Sequence, residues 1–337
     1  MGGDSPQYIT QCDLWRRDVA GAAASFVGLE YSGFTLPMCS VLALTGGSFA
    51  AWVLVQVLLS SAAAGFLCDA TRRIFGDASG ILAGLAQSVL YETFQWDVYI
   101  LSDSVFVSLL IVTLWATVWA LASPKPARLA LVGGLLLLVA ITRPGGFLYS
   151  VGWLCCSCVI LYRRGGPRLM SARRAVAGVS LAAVAAIVLA AGPLASRIRF
   201  YARVMPEKLA SGVVISDDPG WDAPGAGPIT ILARRVGALW LPFVFRFSVR
   251  HAGMNVVVLV PIFLLGLAGM ALSPRRPEAW VVMVPIGVVH LCVLAIFVDW
   301  DWRYRAPMMP SLVVFAAATV GPRVGYVAKW LRLPAIR

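Results

Sequence analysis

The sequence has 337 residues, of which 60% are hydrophobic and only 13% are charged, and its mean hydropathy is +0.82. Soluble domains carry about 25% charged residues, so this composition excludes an ordinary soluble protein and predicts an all-α, polytopic helical membrane protein. The net charge of +12 comes largely from short loops between apolar runs, which fits contact with membrane lipids and excludes nucleic acid as the partner. Three cysteines, Cys155, Cys156 and Cys158, lie inside an apolar run without the paired spacing of a zinc site, and we interpret all seven cysteines as small apolar residues.

Residues 1–47 contain no membrane span and no signal-peptide pattern, because no basic stretch precedes an apolar core. Asp4 or Ser5 can cap a helix that has Pro6 at its first position. We therefore predict a short amphipathic helix through about Ala24, lying in the membrane interface within a first outer loop.

Nine apolar runs in the rest of the chain each predict a transmembrane helix. They cover residues 48–67, 80–97, 104–122, 129–142, 147–162, 175–195, 254–272, 279–298 and 306–321. Residues 1–337 then form one transmembrane domain in consecutive parts. These parts are the first outer loop at 1–47, six helices at 48–195, a long outer loop at 196–253, three helices at 254–321 and a cytoplasmic tail at 322–337. Within the long loop, arginines alternate with aromatic residues from Ile229 to Val249, which predicts a second juxtamembrane helix on the outer face.

The distribution of Lys and Arg predicts the orientation of the chain. One set of loops holds 15 of these residues, the opposite short segments hold 5, and the long loop holds 8. By the positive-inside rule, the first set of loops and the C-terminus lie in the cytoplasm. The membrane that the chain spans is predicted to be the inner (plasma) membrane. The same rule places residues 1–47 outside, so we expect a transmembrane helix upstream of Met1 and infer a misassigned start or a truncated gene.

Acidic and basic residues from distant segments collect on the predicted outer face. They are Asp4, Asp13, Glu30, Glu92, Asp97, Asp103, Asp299 and Asp301, with Arg143, Arg246, Arg250, His251, Arg303 and Arg305. Charges near a membrane pair with one another or mark a substrate path. Carboxylates with arginines suit transfer from a phosphorylated donor, because a carboxylate can take the proton of an attacking hydroxyl and arginines can hold the departing phosphate.

Four motifs on this face carry a resemblance to a known family. They are Gly3-Asp4-Ser5-Pro6-Gln7-Tyr8, Leu101-Ser102-Asp103-Ser104, Thr142-Arg143-Pro144, and Trp302-Arg303-Tyr304-Arg305-Ala306-Pro307 followed by Pro310. In this order they resemble the GT-C membrane glycosyltransferases, particularly the bacterial relatives of the dolichyl-phosphate-mannose protein mannosyltransferases and the aminoarabinose transferases. That family has a helix before its first outer loop, which this sequence lacks.

The resemblance implies an outward-facing active site that moves a sugar from a polyprenyl-phosphate donor to a lipid, glycan or protein acceptor. It implies that the catalytic residues are Asp4, as general base, and Asp103, a second acid that orients the acceptor, the donor or a metal. The candidate substrate-binding residues are Tyr8, Arg143, Arg250, Arg303, Tyr304 and Arg305. Some family members bind a divalent metal through an acid and a histidine, for which the candidates here are Glu30 and His251.

Plainer interpretations of these residues stay open. Asp4 can be only a helix cap, and Arg143 can anchor a short helix at the lipid headgroups. Arg303 and Arg305 can form a local salt cluster with Asp299 and Asp301.

Two further polar residues are predicted to have structural roles. We favour a pairing of Glu92 with Gln95 or Gln87, without chemistry. His290 is predicted to be a hydrogen-bonded histidine of the core.

The alternative functions are a transporter or lipid flippase, which tends to show matching broken helices in two halves, and a non-catalytic degenerate paralogue. The sequence has no internal repeat, and the turn at residues 142–146 has no counterpart in a second half.

Overall fold

The computed structural model describes residues 5–25, 27–164, 199, 202–207, 209–214, 222–242, 248–273, 276–295 and 302–330. These ranges are predominantly helical and contain no β-strand, which confirms the all-α prediction. The α-helices are α1 (Ser5–Arg17), α2 (Val19–Ala24), α3 (Ser32–Leu44), α4 (Phe49–Phe75), α5 (Asp77–Val89), α6 (Tyr91–Phe94), α7 (Ser102–Ala122), α8 (Pro126–Ala140), α9 (Gly146–Arg164), α10 (Pro228–Leu239), α11 (Val249–Leu272), α12 (Pro277–Ala295) and α13 (Met309–Trp330). Short 3₁₀ helices lie at Leu29–Tyr31, Gln95–Val98 and Trp302–Met308.

Several described helices are long and apolar enough to cross a bilayer. These five spans are Phe49–Phe75, Ser102–Ala122, Gly146–Arg164, Ala252–Leu272 and Pro277–Leu294. Two shorter apolar stretches, Leu29–Leu44 and Pro126–Ala140, accompany them. The chain is therefore a multi-pass helical membrane protein. The predicted span at 175–195 lies outside the described residues, so the count of nine spans stays a prediction.

Helix α7 lies at the centre of the bundle. Of its most apolar 18-residue stretch 78% is buried, against 28% for the corresponding stretches of α4, α9 and α11. It packs against α4 and α8, and it also contacts α9 and α12. A helix that is apolar on every face is stable only when it is surrounded. We call the end of the bundle where α7 begins the Asp103 end, and the end where α7 is followed by the turn at Lys125 the Lys125 end.

Small residues let neighbouring helices approach closely. A Cβ atom at Gly269 of α11 would lie 2.1 Å from the carbonyl oxygen of Phe315 in α13. A Cβ atom at Gly80 of α5 would lie 2.7 Å from the carbonyl oxygen of Cys68 in α4. Small residues at such crossings are typical of membrane helices, where van der Waals contact drives association.

The predicted continuous helix at 80–97 is wrong. Helix α5 ends at Val89, because Leu90 has an extended backbone with φ −74° and ψ 96°. The hydroxyl of Thr93 donates to the carbonyl of Leu90 at 2.9 Å, and Nε2 of Gln87 donates to the Thr93 hydroxyl at 3.1 Å. These polar side chains satisfy backbone and side-chain groups at the break, as in other non-helical turns.

The first 47 residues hold more structure than one amphipathic helix. The predicted helix is divided at Asp18, whose carboxylate caps α2 by accepting from the N–H of Gly21 at 2.9 Å. Helix α3 follows within the predicted loop. The interpretation of all seven cysteines as small apolar residues is wrong for Cys12 and Cys39, which form a disulfide between α1 and α3 with their Cα atoms 5.3 Å apart. The other five cysteines are free.

Candidate active site

Asp103 lies in the first turn of α7, which begins at Ser102 after the extended residue Leu101. The first N–H groups of a helix have no partner within it, so a carboxylate in this position is favoured. The Asp103 side chain is only 2% exposed, and it forms an ion pair with Nη1 of Arg143. This pair joins the start of α7 to the turn between α8 and α9.

The turn that carries Arg143 is held on both sides. The carbonyl of Ile141 accepts from the N–H of Gly33 at 2.9 Å, and the hydroxyl of Thr142 donates to the carbonyl of Leu138 at 2.6 Å. Burial works against the positive charge of Arg143, but the neighbouring Asp103 carboxylate outweighs it and the pKa of Arg143 is raised. The Arg143 side chain is 14% exposed, so part of the cation is accessible.

Helix α1 is attached to the start of α7. The hydroxyl of Ser5 donates to the carbonyl of Ile100 at 3.0 Å, and the Tyr8 hydroxyl lies 3.3 Å from that of Ser102. Burial raises the pKa of Tyr8 well above its usual value, so its phenol stays neutral. Asp4 lies outside the described residues, but Ser5, the residue that follows it, is fixed beside the Asp103 turn.

Aromatic rings complete this cluster. The Tyr8 ring centroid lies 5.6 Å from that of Tyr31 and 4.9 Å from that of Phe34. The Tyr304 ring has Cζ of Arg143 at 5.8 Å and Cζ of Arg303 at 5.5 Å from its centroid. Two guanidinium groups therefore border the same ring, at distances typical of cation–π contact.

Arg305 is placed differently from Arg303. It is 0% exposed, and its Nε donates to the Glu92 carboxylate at 2.5 Å. Its Nη1 donates to the carbonyl of Leu241, beyond the end of α10. The favoured pairing of Glu92 with Gln87 or Gln95 is therefore wrong: its carboxylate pairs with an arginine 213 residues away. Asp299 and Asp301, the alternative partners for Arg305, lie outside the described residues.

Sequence reasoning did not assign Asp97 to the site, although the structure places it next to the start of α7. The Ser104 hydroxyl donates to Oδ1 of Asp97 at 2.5 Å, and Asp97 is 5% exposed. Burial raises the pKa of the Asp97 carboxyl. Nε2 of Gln56 in α4 donates to the carbonyls of Asp97 and Tyr99, which ties the segment before α7 to α4. The sequence signals for it were its place among the acids of the predicted outer face and its position six residues before Asp103.

The remaining predicted site residues are Arg250, Glu30 and His251. Arg250 is exposed near the start of α11. Glu30 lies in the 3₁₀ helix Leu29–Tyr31, and nothing is described of the His251 side chain. Across the ranges given above, no three His, Cys, Asp or Glu side chains are grouped to hold a metal ion, and the pair of Glu30 with His251 stays a prediction.

His290 has the core role predicted for it. Its Nε2 accepts from Nε1 of Trp240 at 3.1 Å, and its Nδ1 lies 2.7 Å from the carbonyl of Ile286. These two contacts define one tautomer, in which Nδ1 carries the proton and donates to the carbonyl. The contact joins the end of α10 to α12.

The cluster at the Asp103 end can bind and hold an anion. A guanidinium has five donors, and the ion pair with Asp103 engages one nitrogen of Arg143, so the group can also donate to a phosphate. The buried Asp103 carboxylate fixes the orientation of that cation. The neutral phenol of Tyr8 and the ring of Tyr304 add a polar group and ring faces of the kind that sugars contact.

No protein-family model matches the chain, and no curated protein matches it in sequence. Among solved structures, it is similar to the crystal structure of ArnT from Cupriavidus metallidurans in the apo state. The two share 13% sequence identity with a TM-score of 0.40, and the match covers 97% of this chain and 74% of that one. Values this low do not establish a common family. What the fold and the site define is a multi-pass helical membrane protein with a buried aspartate–arginine cluster at one end.

Proposed function

We propose that this chain is a membrane glycosyltransferase of GT-C type, which moves a sugar from a polyprenyl-phosphate donor to an acceptor hydroxyl. One observation carries the proposal: the four motifs that resemble that family converge in space. Tyr8, Asp103, Arg143 and Tyr304 come from four separate segments and lie in one cluster at the Asp103 end. An ordinary helical bundle does not require this convergence.

Arg143 and Arg303 are the residues we assign to the donor phosphate. Both guanidinium groups border the Tyr304 ring, and arginine matches the oxygens of a phosphate with paired donors. As the sugar leaves, negative charge grows on the polyprenyl phosphate. Fixed cations at that point stabilise the transition state more than the ground state.

Asp4 is the residue we assign as general base. It would take the proton of the acceptor hydroxyl while the oxygen forms a bond to the anomeric carbon, as the bond from that carbon to the phosphate oxygen breaks. A single displacement of this kind inverts the anomeric centre. Ser5 and Tyr8, which follow Asp4, are anchored beside α7, and this supports a position for Asp4 near the phosphate-binding arginines.

Asp103 is the residue we assign to positioning. Its carboxylate is 2% exposed and engages Arg143, so it would orient the phosphate-binding cation rather than touch the sugar. Arg305 would act in the same indirect way, because its pair with Glu92 holds the 3₁₀ helix that carries Arg303 and Tyr304.

We also propose that the Asp103 end faces outward from the inner (plasma) membrane and that the C-terminus is cytoplasmic. The Cys12–Cys39 disulfide supports this orientation, since disulfides persist in oxidising compartments and are rare in the cytosol. The disulfide and the distribution of Lys and Arg are independent signals that agree.

A transfer assay on the purified chain in nanodiscs tests the proposal. Polyprenyl-phosphate hexose and pentose donors are added with a membrane extract as the acceptor source, and release of free polyprenyl phosphate is measured. We expect release by the wild type and at least a hundredfold less by Asp4→Asn and Asp103→Asn. Asp13→Asn is the matched control, because Asp13 is an exposed acid on α1.

Other outcomes would contradict the proposal. A transporter or flippase would move the donor lipid between leaflets without cleaving it, and a degenerate paralogue would do neither. Equal rates of polyprenyl phosphate release by Asp103→Asn and Asp13→Asn would contradict a role of the cluster in transfer.

A further inference from the structure

A groove lies between α7, α8 and α9 near the Lys125 end, far from the candidate active site. The space within the groove, including the part that is open to its surroundings, is about 430 Å³, and its lining is largely aliphatic, including Leu121, Leu129, Leu136 and Leu154. The α7 residues that line it come 14 to 18 positions after Asp103. A rise of 1.5 Å per residue therefore separates the groove from Asp103 by roughly 21–27 Å.

Cationic side chains border the groove at the end of α7. Nη1 of Arg128 donates to the carbonyls of Trp119 and Ser123, each at 3.3 Å. Nη1 of Arg164 donates to the carbonyl of Leu121, a residue of the lining. Lys125 is exposed, and it forms no ion pair with the described residues.

Aromatic rings lie beside these cations, an arrangement that is typical of the level of lipid headgroups. Cζ of Arg128 lies 4.0 Å from the centroid of the Trp119 ring, and Trp119 stacks on Trp115 at 5.4 Å. Tryptophan is enriched at the boundary between the hydrocarbon core and the headgroups. The aliphatic groove therefore extends from this boundary into the hydrocarbon region, with the cations at its mouth.

We infer that this groove binds an anionic phospholipid, with one acyl chain between α8 and α9 and the phosphate at Lys125 and Arg128. A groove with an aliphatic lining in the membrane-spanning part of a protein accepts a hydrocarbon chain and rejects a polar ligand. The cations at its mouth favour a headgroup with net negative charge over a zwitterionic one. The inference does not depend on the proposed glycosyl transfer, because the groove and the site lie at opposite ends of α7.

Lipid binding to the full chain in detergent, measured by native mass spectrometry, tests the inference. The probes are phosphatidylglycerol and phosphatidylcholine with identical acyl chains. We expect the wild type to bind phosphatidylglycerol at least tenfold more tightly. Lys125→Gln with Arg128→Gln should remove that preference, whereas Arg128→Lys should keep it because the charge is retained.

Matched controls separate the groove from the general surface. Arg323→Gln removes another arginine that donates to a helix carbonyl, that of Thr319, away from the groove. Leu154→Trp fills the groove and should weaken binding of both lipids, whereas Leu137→Trp changes an exposed position of α8 outside the lining and should not. Lys125→Gln alone breaks no ion pair with the described residues, so it tests the charge if the double variant does not fold. Equal affinity of the wild type for both lipids, or equal effects of Lys125→Gln and Arg323→Gln, would overturn the inference.

Discussion

The two ends of the bundle use the same types of charged residue in different ways. At the Asp103 end, the side chains of the pairs Arg143–Asp103 and Arg305–Glu92 are between 1% and 14% exposed. Their partners are 40 and 213 residues apart. At the Lys125 end, Asp69 pairs with arginines three and four positions later, and Arg164 pairs with Glu278. The side chains there are between 25% and 53% exposed.

This difference in exposure indicates which ion pairs have a role other than stabilising the fold. Exposed ion pairs contribute about 0–1 kcal/mol. A buried pair loses most of its Coulombic gain to desolvation, so stability alone does not explain its presence. Two such pairs at one end of the bundle indicate that the Asp103 end is organised for a task that needs fixed charges.

Loss of Arg305 should have the largest effect on stability and would sharpen the comparison. Arg305→Met leaves the Glu92 carboxylate buried without its cation, which should lower the free energy of unfolding by ~3–5 kcal/mol. At the Lys125 end, Glu278→Gln should cost less than ~1 kcal/mol, because its pair with Arg164 is exposed. Denaturant titration in detergent micelles measures both. Similar losses for the two variants would show that the ends do not differ.

Removal of the disulfide should have the next largest effect. Cys39→Ser should lower the stability of the folded state by ~2–4 kcal/mol, since the crosslink restricts the unfolded chain between α1 and α3. Thermal unfolding with and without a reducing agent checks this. Cys155→Ser, which changes a free cysteine of α9, is the control and should leave the melting temperature unchanged. Full resistance of the wild type to the reducing agent would contradict the prediction.

A close contact between α11 and α13 gives a test of packing that involves no charge. Gly269→Ala forces a methyl group against the Phe315 carbonyl and should cost ~1–3 kcal/mol. Gly287→Ala is a matched change, because a Cβ atom there meets nothing within 4 Å. It should be neutral or stabilising, since alanine favours the helix by about 1 kcal/mol. Comparison of the two unfolding free energies gives the result, and an equal cost would refute the close contact.

The smallest expected effect is a pH dependence at the Asp103 end. The pKa of Asp97 is raised in the folded state, so the folded chain binds its proton more tightly than the unfolded chain does. The Asp97 carboxyl should therefore lower stability as pH rises from about 4 through its raised pKa. Asp97→Asn should remove this contribution to the change of unfolding free energy with pH. Unfolding titrations at several pH values would show it, and parallel curves for wild type and variant would contradict it.

Much of the architecture could be predicted because local sequence determines it. The apolar run after Asp103 becomes α7, and the Thr142–Gly146 turn separates α8 from α9, because hydrophobic length and turn residues act over short distances. The helix break at Leu90 was missed because it depends on side-chain hydrogen bonds from Gln87 and Thr93.

The long-range contacts of the site could be predicted only in part. The four motifs indicated which face holds the charged residues, but not which residues pair with one another. Glu92 and Arg305 meet because α6 and the 3₁₀ helix before α13 lie together, which only the fold determines. The Cys12–Cys39 disulfide was missed for the same reason, since 27 residues separate cysteines with no recognisable spacing.

The central claim is that the Asp103 end binds a phosphorylated donor. The most direct test compares two arginines that lie at opposite ends of the bundle. Binding of polyprenyl phosphate to the purified chain is measured for Arg143→Gln and for Arg72→Gln, which changes an exposed arginine paired with Asp69 at the Lys125 end. Hydrogen bonds to charged groups contribute ~1.5–3 kcal/mol, so we expect Arg143→Gln to weaken binding about tenfold to a hundredfold and Arg72→Gln to leave it unchanged. Equal binding by both variants and the wild type would contradict the assignment of the Asp103 end to a phosphorylated donor.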